Sequence, residues 1–452
     1  MCPSVKTITT GLGIQTNFSH LNYGKLKNSA LGAVEEINNR HNVSGQFLKW
    51  IKLPEEQIRR IDYIYETVEK LKKQTGASYL SVLGIGGSKH PIEHMLSING
   101  LNLDKKIKFM SDIDTVSHNR FMQSIGGNPR NSNYLVVSKS GTTFEPKDAL
   151  IRTKNAIKNI FVKDGYNEND AQNLTSKYFV AVTDKNPDTS ELRRTANAEN
   201  WLGDLFIHDD VGGRFSAFDD HTLFTLAYAG MKKSDMIKML EGASDMTNLA
   251  LSKDLKVNEP LAQAFFWVNA KLQHIKTTVH EYLGSMFEDT VNWHSQMQNE
   301  SIKNTLKQIT KVPDAMHHSA EAHFNPANKF AFALTSPADK GLLSENLNGY
   351  VDALSKSYSN VGTYFNEVVD VADLGLTPQA AGALTQSRAF STVFQELIEK
   401  LHNIEIGKDK VLPEKLESVL QPYVETYKGN MRPDPVTGKK VVDAGRVLNK
   451  NV

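Results

Sequence analysis

The chain has 452 residues, of which 40% are hydrophobic and 23% charged, with a formal net charge of +1. This describes a globular protein long enough for two or three domains of ~150 residues each, with no concentrated basic surface for nucleic acid or a membrane. A single cysteine, Cys2, excludes an internal disulfide framework and a cysteine-built zinc site.

Residues 1–75 carry charged helical periodicity, as in "EEQIRRIDYIYETVEKLKKQ" (55–74), and are expected to form an N-terminal helical segment. The opening "MCPSVKTITTGLG" has neither the charged start nor the apolar stretch of a signal peptide, and no apolar run reaches membrane-spanning length. A cytoplasmic protein is expected. From "ASYLSVLGIGGSKH" (77–90) the pattern changes. Apolar runs there and at "IKFMSD" (107–112), "YLVVSKSG" (134–141) and "YFVAVTD" (178–184) each end in small or polar residues, with helical stretches between them. Such alternation predicts a parallel sheet covered on both faces. A helical stretch is expected over 220–305, followed by a smaller strand set at "FAFALTSP" (330–337) and "NEVVDVADLG" (366–375) and a closing helix at "QELIEKLHNI" (395–404). The expected division is a helical segment to 75, an α/β domain over 76–220, a second with a helical insert over 221–395, and a helical segment over 396–452.

Two turns end strands in small residues. "GIGGS" (84–88) places backbone N–H groups at a strand carboxyl end, where glycine permits close approach of a ligand and a following helix favours an anion. Its spacing is not G-x-G-x-x-G, and no acidic residue is placed for a ribose, so a dinucleotide is the weaker reading. "SKSGTT" (138–143) ends another strand in Ser138, Ser140, Thr142 and Thr143, where an ordinary turn needs one N-cap. These hydroxyls donate to phosphate oxygens without adding a fixed charge. Ligands of an open α/β sheet bind outside the strand carboxyl ends, so the two turns together are expected to hold an anion.

"VLGIGGS" followed by "VVSKSGTTFEP" resembles the glucose-6-phosphate isomerase family. In the family's order come "DVGGRFSAF" (210–218), similar to its VGGR(Y/F)S segment, and "QMQNES" (296–301), similar to its glutamine and glutamate four residues apart. "LTPQAAGAL" (376–384) resembles a family helix opening, and "QPYVETYKGNM" (421–431) is close to its Q-P-G-V-E-x-Y-K. The resemblance implies an α/β fold of two sugar-isomerase (SIS) domains, flavodoxin-like three-layer units with mostly parallel sheets, plus N- and C-terminal helices. It implies reversible isomerisation of glucose 6-phosphate and fructose 6-phosphate through an enediol, a step of glycolysis and gluconeogenesis. It also implies a homodimer that shares its site, with no cofactor and no metal.

By the same resemblance, Ser88, Ser138, Ser140 and Thr143 bind the substrate phosphate, with backbone help from Gly87 and Lys139. Glu300 moves a proton between C2 and C1, Arg214 beside Gly213 stabilises the enediol, and Gln296 and Gln421 contact the sugar. Lys428 and a histidine assist ring opening. The family's H-S context points to His318 of "MHHSAEAHF", ahead of His317. The match has departures: "ESIK" (300–303) lacks the family's glycine, Arg388-Ala389-Phe390-Ser391 stands for Y-E-H-K, and "KHPIEH" follows the GIGGS turn. These bear on the surroundings of the sugar more than on the phosphate. The alternatives are an isomerase of another sugar phosphate, such as mannose 6-phosphate, or a non-catalytic sugar-phosphate sensor; Glu300, Arg214 and Lys428 together argue against the sensor.

The chemistry matches these residue types. A carboxylate moves a carbon-bound proton well when a closed, partly apolar site raises its pKa, and Gln296 and Glu300 fall on one helix face at i,i+4. Arginine holds its charge at any relevant pH and stabilises an enediolate oxygen. Histidine suits ring opening by its ordinary pKa. His317, His318 and His323 tempt a metal reading, but only Glu321 offers a carboxylate at tight spacing, so no metal is expected.

Overall fold

The computed structural model describes residues 6–19, 21, 23–112, 114–275, 277–302, 307–312, 330–338, 349, 361–402, 431–433 and 440–442. In chain order the strands are β1 (Lys6–Thr9), β2 (Ile14–Phe18), β3 (Tyr79–Leu83), β4 (Ile107–Met110), β5 (Ser132–Val137), β6 (Phe179–Thr183) and β7 (Leu205–Phe206). They continue with β8 (Thr277–Leu283), β9 (Lys307–Val312), β10 (Phe330–Pro337), β11 (Val361–Val369), β12 (Met431–Pro433) and β13 (Lys440–Val442).

The chain visits two compact units in turn. Among the described residues, those within 6–65, 86–104 and 209–402 form the first, and those within 66–85, 105–208 and 431–442 the second. The units interleave along the sequence, unlike the consecutive division expected from periodicity.

The second unit holds a five-stranded sheet in the order β4-β3-β5-β6-β7, parallel throughout. Every residue of β5 and β6 is buried, as the continuously apolar runs predict for strands covered on both faces. Tyr134 stacks on Phe179 and Phe179 on Trp201, with ring centroids 5.2 and 5.1 Å apart, at the centre of this core. The helix Phe144–Lys163 leaves the end of β5 through the SKSGTT turn.

The first unit holds a six-stranded sheet in the order β1-β2-β11-β10-β8-β9. Its four later strands are parallel, and the β1–β2 hairpin adds to β11 antiparallel. The two sheets, mostly parallel and interleaved with helices, give the α/β class expected. Two expectations are corrected. Residues 6–18 form a hairpin inside the segment expected to be helical, because Ile14, Thr16 and Phe18 alternate inward with a period of two. The stretch 220–305 is broken by β8, whose "TTVHEYL" is rich in β-branched and aromatic residues. Polar side chains in β8 hide the strand from a hydropathy reading; His280 bonds Thr335 Oγ1 of β10 at 2.8 Å through Nε2.

The expected helix after residue 377 runs unbroken as Pro378–Leu401, with Thr377 as its N-cap. It lies directly on the helix Lys233–Ala250: a Cβ on Gly382 would stand 1.8 Å from the Met239 carbonyl oxygen, so only glycine allows this approach.

Candidate active site

The two glycine motifs of the first unit lock onto each other. The GIGGS turn forms a 3-10 turn at Gly86–Ser88, and the VGGR segment forms another at Gly213–Phe215. A Cβ on Gly87 would lie 2.5 Å from the carbonyl carbon of Gly213 and 3.0 Å from the backbone nitrogen of Arg214. Ser216 Oγ lies 2.6 Å from the Gly213 carbonyl and 3.1 Å from that of Gly87, placed to donate to either. The close approach that Gly87 and Gly213 permit is thus to one another. Ser88 ends the first turn, partly buried.

The helix Glu288–Ser301 supplies the side chains that meet this pair of turns. Trp293 Nε1 donates to the carbonyl of Arg214 at 3.0 Å. The Arg214 guanidinium donates from Nε to Ser301 Oγ at 2.9 Å and from Nη1 to Glu300 Oε2 at 3.1 Å. Glu300 Oε1 accepts from Gln296 Nε2 at 2.9 Å, the i,i+4 relation expected on this helix. The Gln296 Oε1 is buried and has no partner among the described residues. Glu300 keeps 49% of its side-chain surface exposed and Arg214 30%. The closed, partly apolar surroundings expected for the carboxylate are therefore not supplied by the described residues. Among the described residues its hydrogen-bond partners are a fixed cation and an amide.

In the second unit the SKSGTT turn is knitted internally. Ser138 Oγ accepts from Gly141 N at 3.1 Å and donates to Thr143 Oγ1 at 3.3 Å, and Ser140 and Thr142 join their hydroxyls at 2.7 Å. The Lys139 carbonyl accepts from Asp184 N at 3.1 Å. Thr143 is the N-cap of the helix Phe144–Lys163, yet its side chain makes no capping bond. The hydroxyls of Ser138 and Thr143 are turned to each other, and the helix start is left without a side-chain acceptor, an arrangement that favours an anion.

No family model matches the chain. It is 32% identical to the glucose-6-phosphate isomerase of Acetivibrio thermocellus over 249 residues, 52% of this chain and 50% of the relative. It is 28% identical to that of Mycoplasmopsis pulmonis over 351 residues, 74% and 77% of the two chains. With that of Limosilactobacillus reuteri the identity is 25%, over 92% of both. The chain thus spans half the length of the first of these relatives and three quarters or more of the other two.

The chain is similar to glucose-6-phosphate isomerases, over up to 92% of its length.

Solved structures agree on the fold: the glucose-6-phosphate isomerase of Chlamydia trachomatis superposes with a TM-score of 0.69 at 18% identity, covering 93% of both chains. A hypothetical protein of Thermus thermophilus superposes with a TM-score of 0.63 at 19% identity, over 89% of this chain and 95% of its own.

Against the family's pattern, the structure brings Gly87, Gly213, Arg214, Gln296 and Glu300 together in the first unit. Ser138, Lys139, Ser140 and Thr143 form one turn in the second. Gln421, Lys428 and His318, with His317 and His323, lie outside the described residues. Sequence reasoning missed Ser301, Trp293 and His94. Ser301 was legible as the serine following the glutamate, whereas only the fold shows that Trp293 reaches the Arg214 carbonyl with His94 stacked on its ring.

The departure from the family at Arg388 has a structural explanation. Arg388 is fully buried, and all of its N–H groups find acceptors: Nε on the Tyr282 hydroxyl at 2.8 Å, Nη1 on Gln263 Oε1 at 2.9 Å and Glu367 Oε1 at 3.1 Å, and Nη2 on Thr335 Oγ1 at 3.0 Å and on Glu367 Oε2. The Tyr282 hydroxyl that accepts from Arg388 also hydrogen-bonds His294 Nδ1, 2.9 Å away on the helix that carries Glu300. Gln298 of the same helix donates to Thr392 at 2.6 Å. Arg388, through Tyr282, and Thr392, just past the segment that departs from the family, thus both connect to the helix of the candidate base. Beside them Glu259 is buried, and burial, followed by the nearby Glu367, pushes its pKa up to about 7.

Proposed function

We propose that the chain is an aldose–ketose isomerase that interconverts glucose 6-phosphate and fructose 6-phosphate. The observation that carries this is the bond from Arg214 to Glu300, with Gln296 on the second carboxylate oxygen. A base and a fixed cation are held side by side, as proton transfer at a carbon next to a carbonyl requires.

In this reading the open-chain aldose gives its C2 proton to Glu300. The C–H electron pair forms the C1–C2 double bond, and the C1 carbonyl pair moves onto O1. Arg214 offsets the charge on that enediolate. A proton passes from O2 to O1, Glu300 returns its proton to C1, and C2 is left as the ketone. Gln296 and Gln421 hold the sugar hydroxyls, while His318 and Lys428 open the ring. The phosphate is the ligand proposed for Ser88, Ser138, Ser140 and Thr143 with the backbone of Gly87 and Lys139. Gly213 serves by letting Arg214 approach the GIGGS turn. A homodimer with a shared site, in the cytoplasm, completes the proposal.

A coupled assay without added metal tests it with wild type and Glu300→Gln. Wild type is expected to turn over in both directions and the variant to lose this activity. Equal turnover in the two, or none in wild type, refutes the assignment.

A further inference from the structure

We propose that His94 is a positioning residue: its ring, stacked on Trp293, fixes the indole that holds the backbone of Arg214. This rests on the isomerase reading for its kinetic consequence but on the geometry alone for the contact itself.

His94 lies in the helix His90–Ile98 and is fully buried. Its ring is nearly coplanar with Trp293, with centroids 4.0 Å apart and planes at 11°. Both nitrogens are engaged, Nδ1 with Thr290 Oγ1 at 2.9 Å and Nε2 with Thr385 Oγ1 at 3.0 Å. Thr385 also donates its hydroxyl to the Ala381 carbonyl at 2.8 Å, so it accepts from His94 Nε2–H. The Thr290 hydroxyl then donates to Nδ1. One ring proton and one hydroxyl proton satisfy both contacts, which assigns a neutral imidazole held in a single orientation. Burial, and next Arg388, push its pKa down to about 3, so this ring takes no part in proton transfer near neutrality.

An inert histidine with two tailored hydroxyl partners serves to orient what it touches. Trp293 has one polar atom, and it is spent on the Arg214 carbonyl at 3.0 Å. Arg214 in turn must meet Glu300 and Ser301 from a 3-10 turn that it enters directly after Gly212 and Gly213, a backbone with little stiffness of its own. The stack on His94 supplies that stiffness. His94 is also one of the residues of "KHPIEH", the segment where the chain departs from the family's pattern.

Two substitutions separate orientation from mere stability. His94→Phe keeps a ring over Trp293 but strands two threonine hydroxyls, whereas His94→Gln can bond a threonine but has no ring. If the stack positions Arg214, His94→Gln lowers kcat about tenfold with KM within about twofold, while His94→Phe stays near wild type in kcat despite a lower Tm. A purely structural role gives the reverse order, and kcat unchanged in His94→Gln likewise overturns the proposal. The Trp293 indole N–H, assigned by its loss in Trp293→Phe, provides the readout that needs no activity. Its hydrogen exchange is expected to accelerate in His94→Gln and to stay slow in His94→Phe. Unchanged exchange in His94→Gln refutes the stack, whereas an inactive wild type refutes only the isomerase reading.

Discussion

Arg214 donates to Glu300 across 86 residues of sequence, at 3.1 Å, from a turn whose backbone is pinned by a tryptophan of the glutamate's own helix. The pair is half exposed, so as an ion pair it contributes little to stability. Glu300→Gln is therefore expected to unfold within about 1 kcal/mol of wild type while losing about 10²- to 10⁴-fold in kcat. Thermal unfolding and the coupled assay, run on one preparation, check both halves.

Gly87 offers a test in the opposite direction. No side chain fits there, because the obstacle is the backbone of Gly213 and Arg214 rather than a movable side chain. Gly87→Ala must push the two turns apart, at a cost of about 1–3 kcal/mol. Because the displaced group is the backbone of Arg214, kcat is expected to fall with stability. An alanine variant with unchanged denaturation midpoint would show that the turns are not in contact.

Glu259 makes stability depend on pH. Its folded pKa, about 7, lies above the ordinary 4.5, so the folded state binds this proton more tightly than the unfolded chain does. The contribution is fully present below the ordinary carboxylate value and is lost as pH rises through the folded one. Glu259→Gln removes this titration, and its denaturation free energy is expected to vary less with pH between 5 and 8 than that of wild type. Urea unfolding at several pH values measures the difference.

Arg388 and Glu367 form a buried ion pair with no solvent to replace either partner. Arg388→Met leaves Glu367 and Glu259 without their cation, and a loss of about 3–5 kcal/mol is expected. Replacing Glu367 with glutamine in the same chain should return part of that loss. The double-mutant cycle, read by denaturation, reports the coupling.

Ser138 and Thr143 share a hydrogen bond and flank a helix start with no side-chain cap. Ser138→Ala and Thr143→Ala are each expected to raise KM about tenfold, the worth of a hydrogen bond to a charged group. Competition by inorganic phosphate should weaken in parallel. If KM holds while only Tm drops, the hydroxyls serve the turn and not the anion.

Strands β3 to β6 and both turns were legible because a buried parallel strand is apolar along most of its length, and its end is marked by small residues. The same rule failed for β8, where His280 and Glu281 are buried inside the sheet. It failed again for the β1–β2 hairpin, whose short alternation is outweighed by the long charged helices that follow. At the candidate site, Gln296 and Glu300 were legible as a helical pair. The partly apolar enclosure expected around Glu300 was not found among the described residues, since exposure depends on what packs nearby.

The sequence by itself determined the features set by near neighbours along the chain: strand and helix periods, the hydroxyl-rich turn, and the i,i+4 spacing of Gln296 and Glu300. Only the tertiary structure decided that Gly87 abuts Gly213, that Arg214 reaches Glu300, and that Arg388 is neutralised inside the protein by Glu367. The physical reason is that such contacts depend on how separate elements pack. A glycine needed for backbone approach, or an arginine whose charge is met in the interior, has the same letters as one in a surface loop.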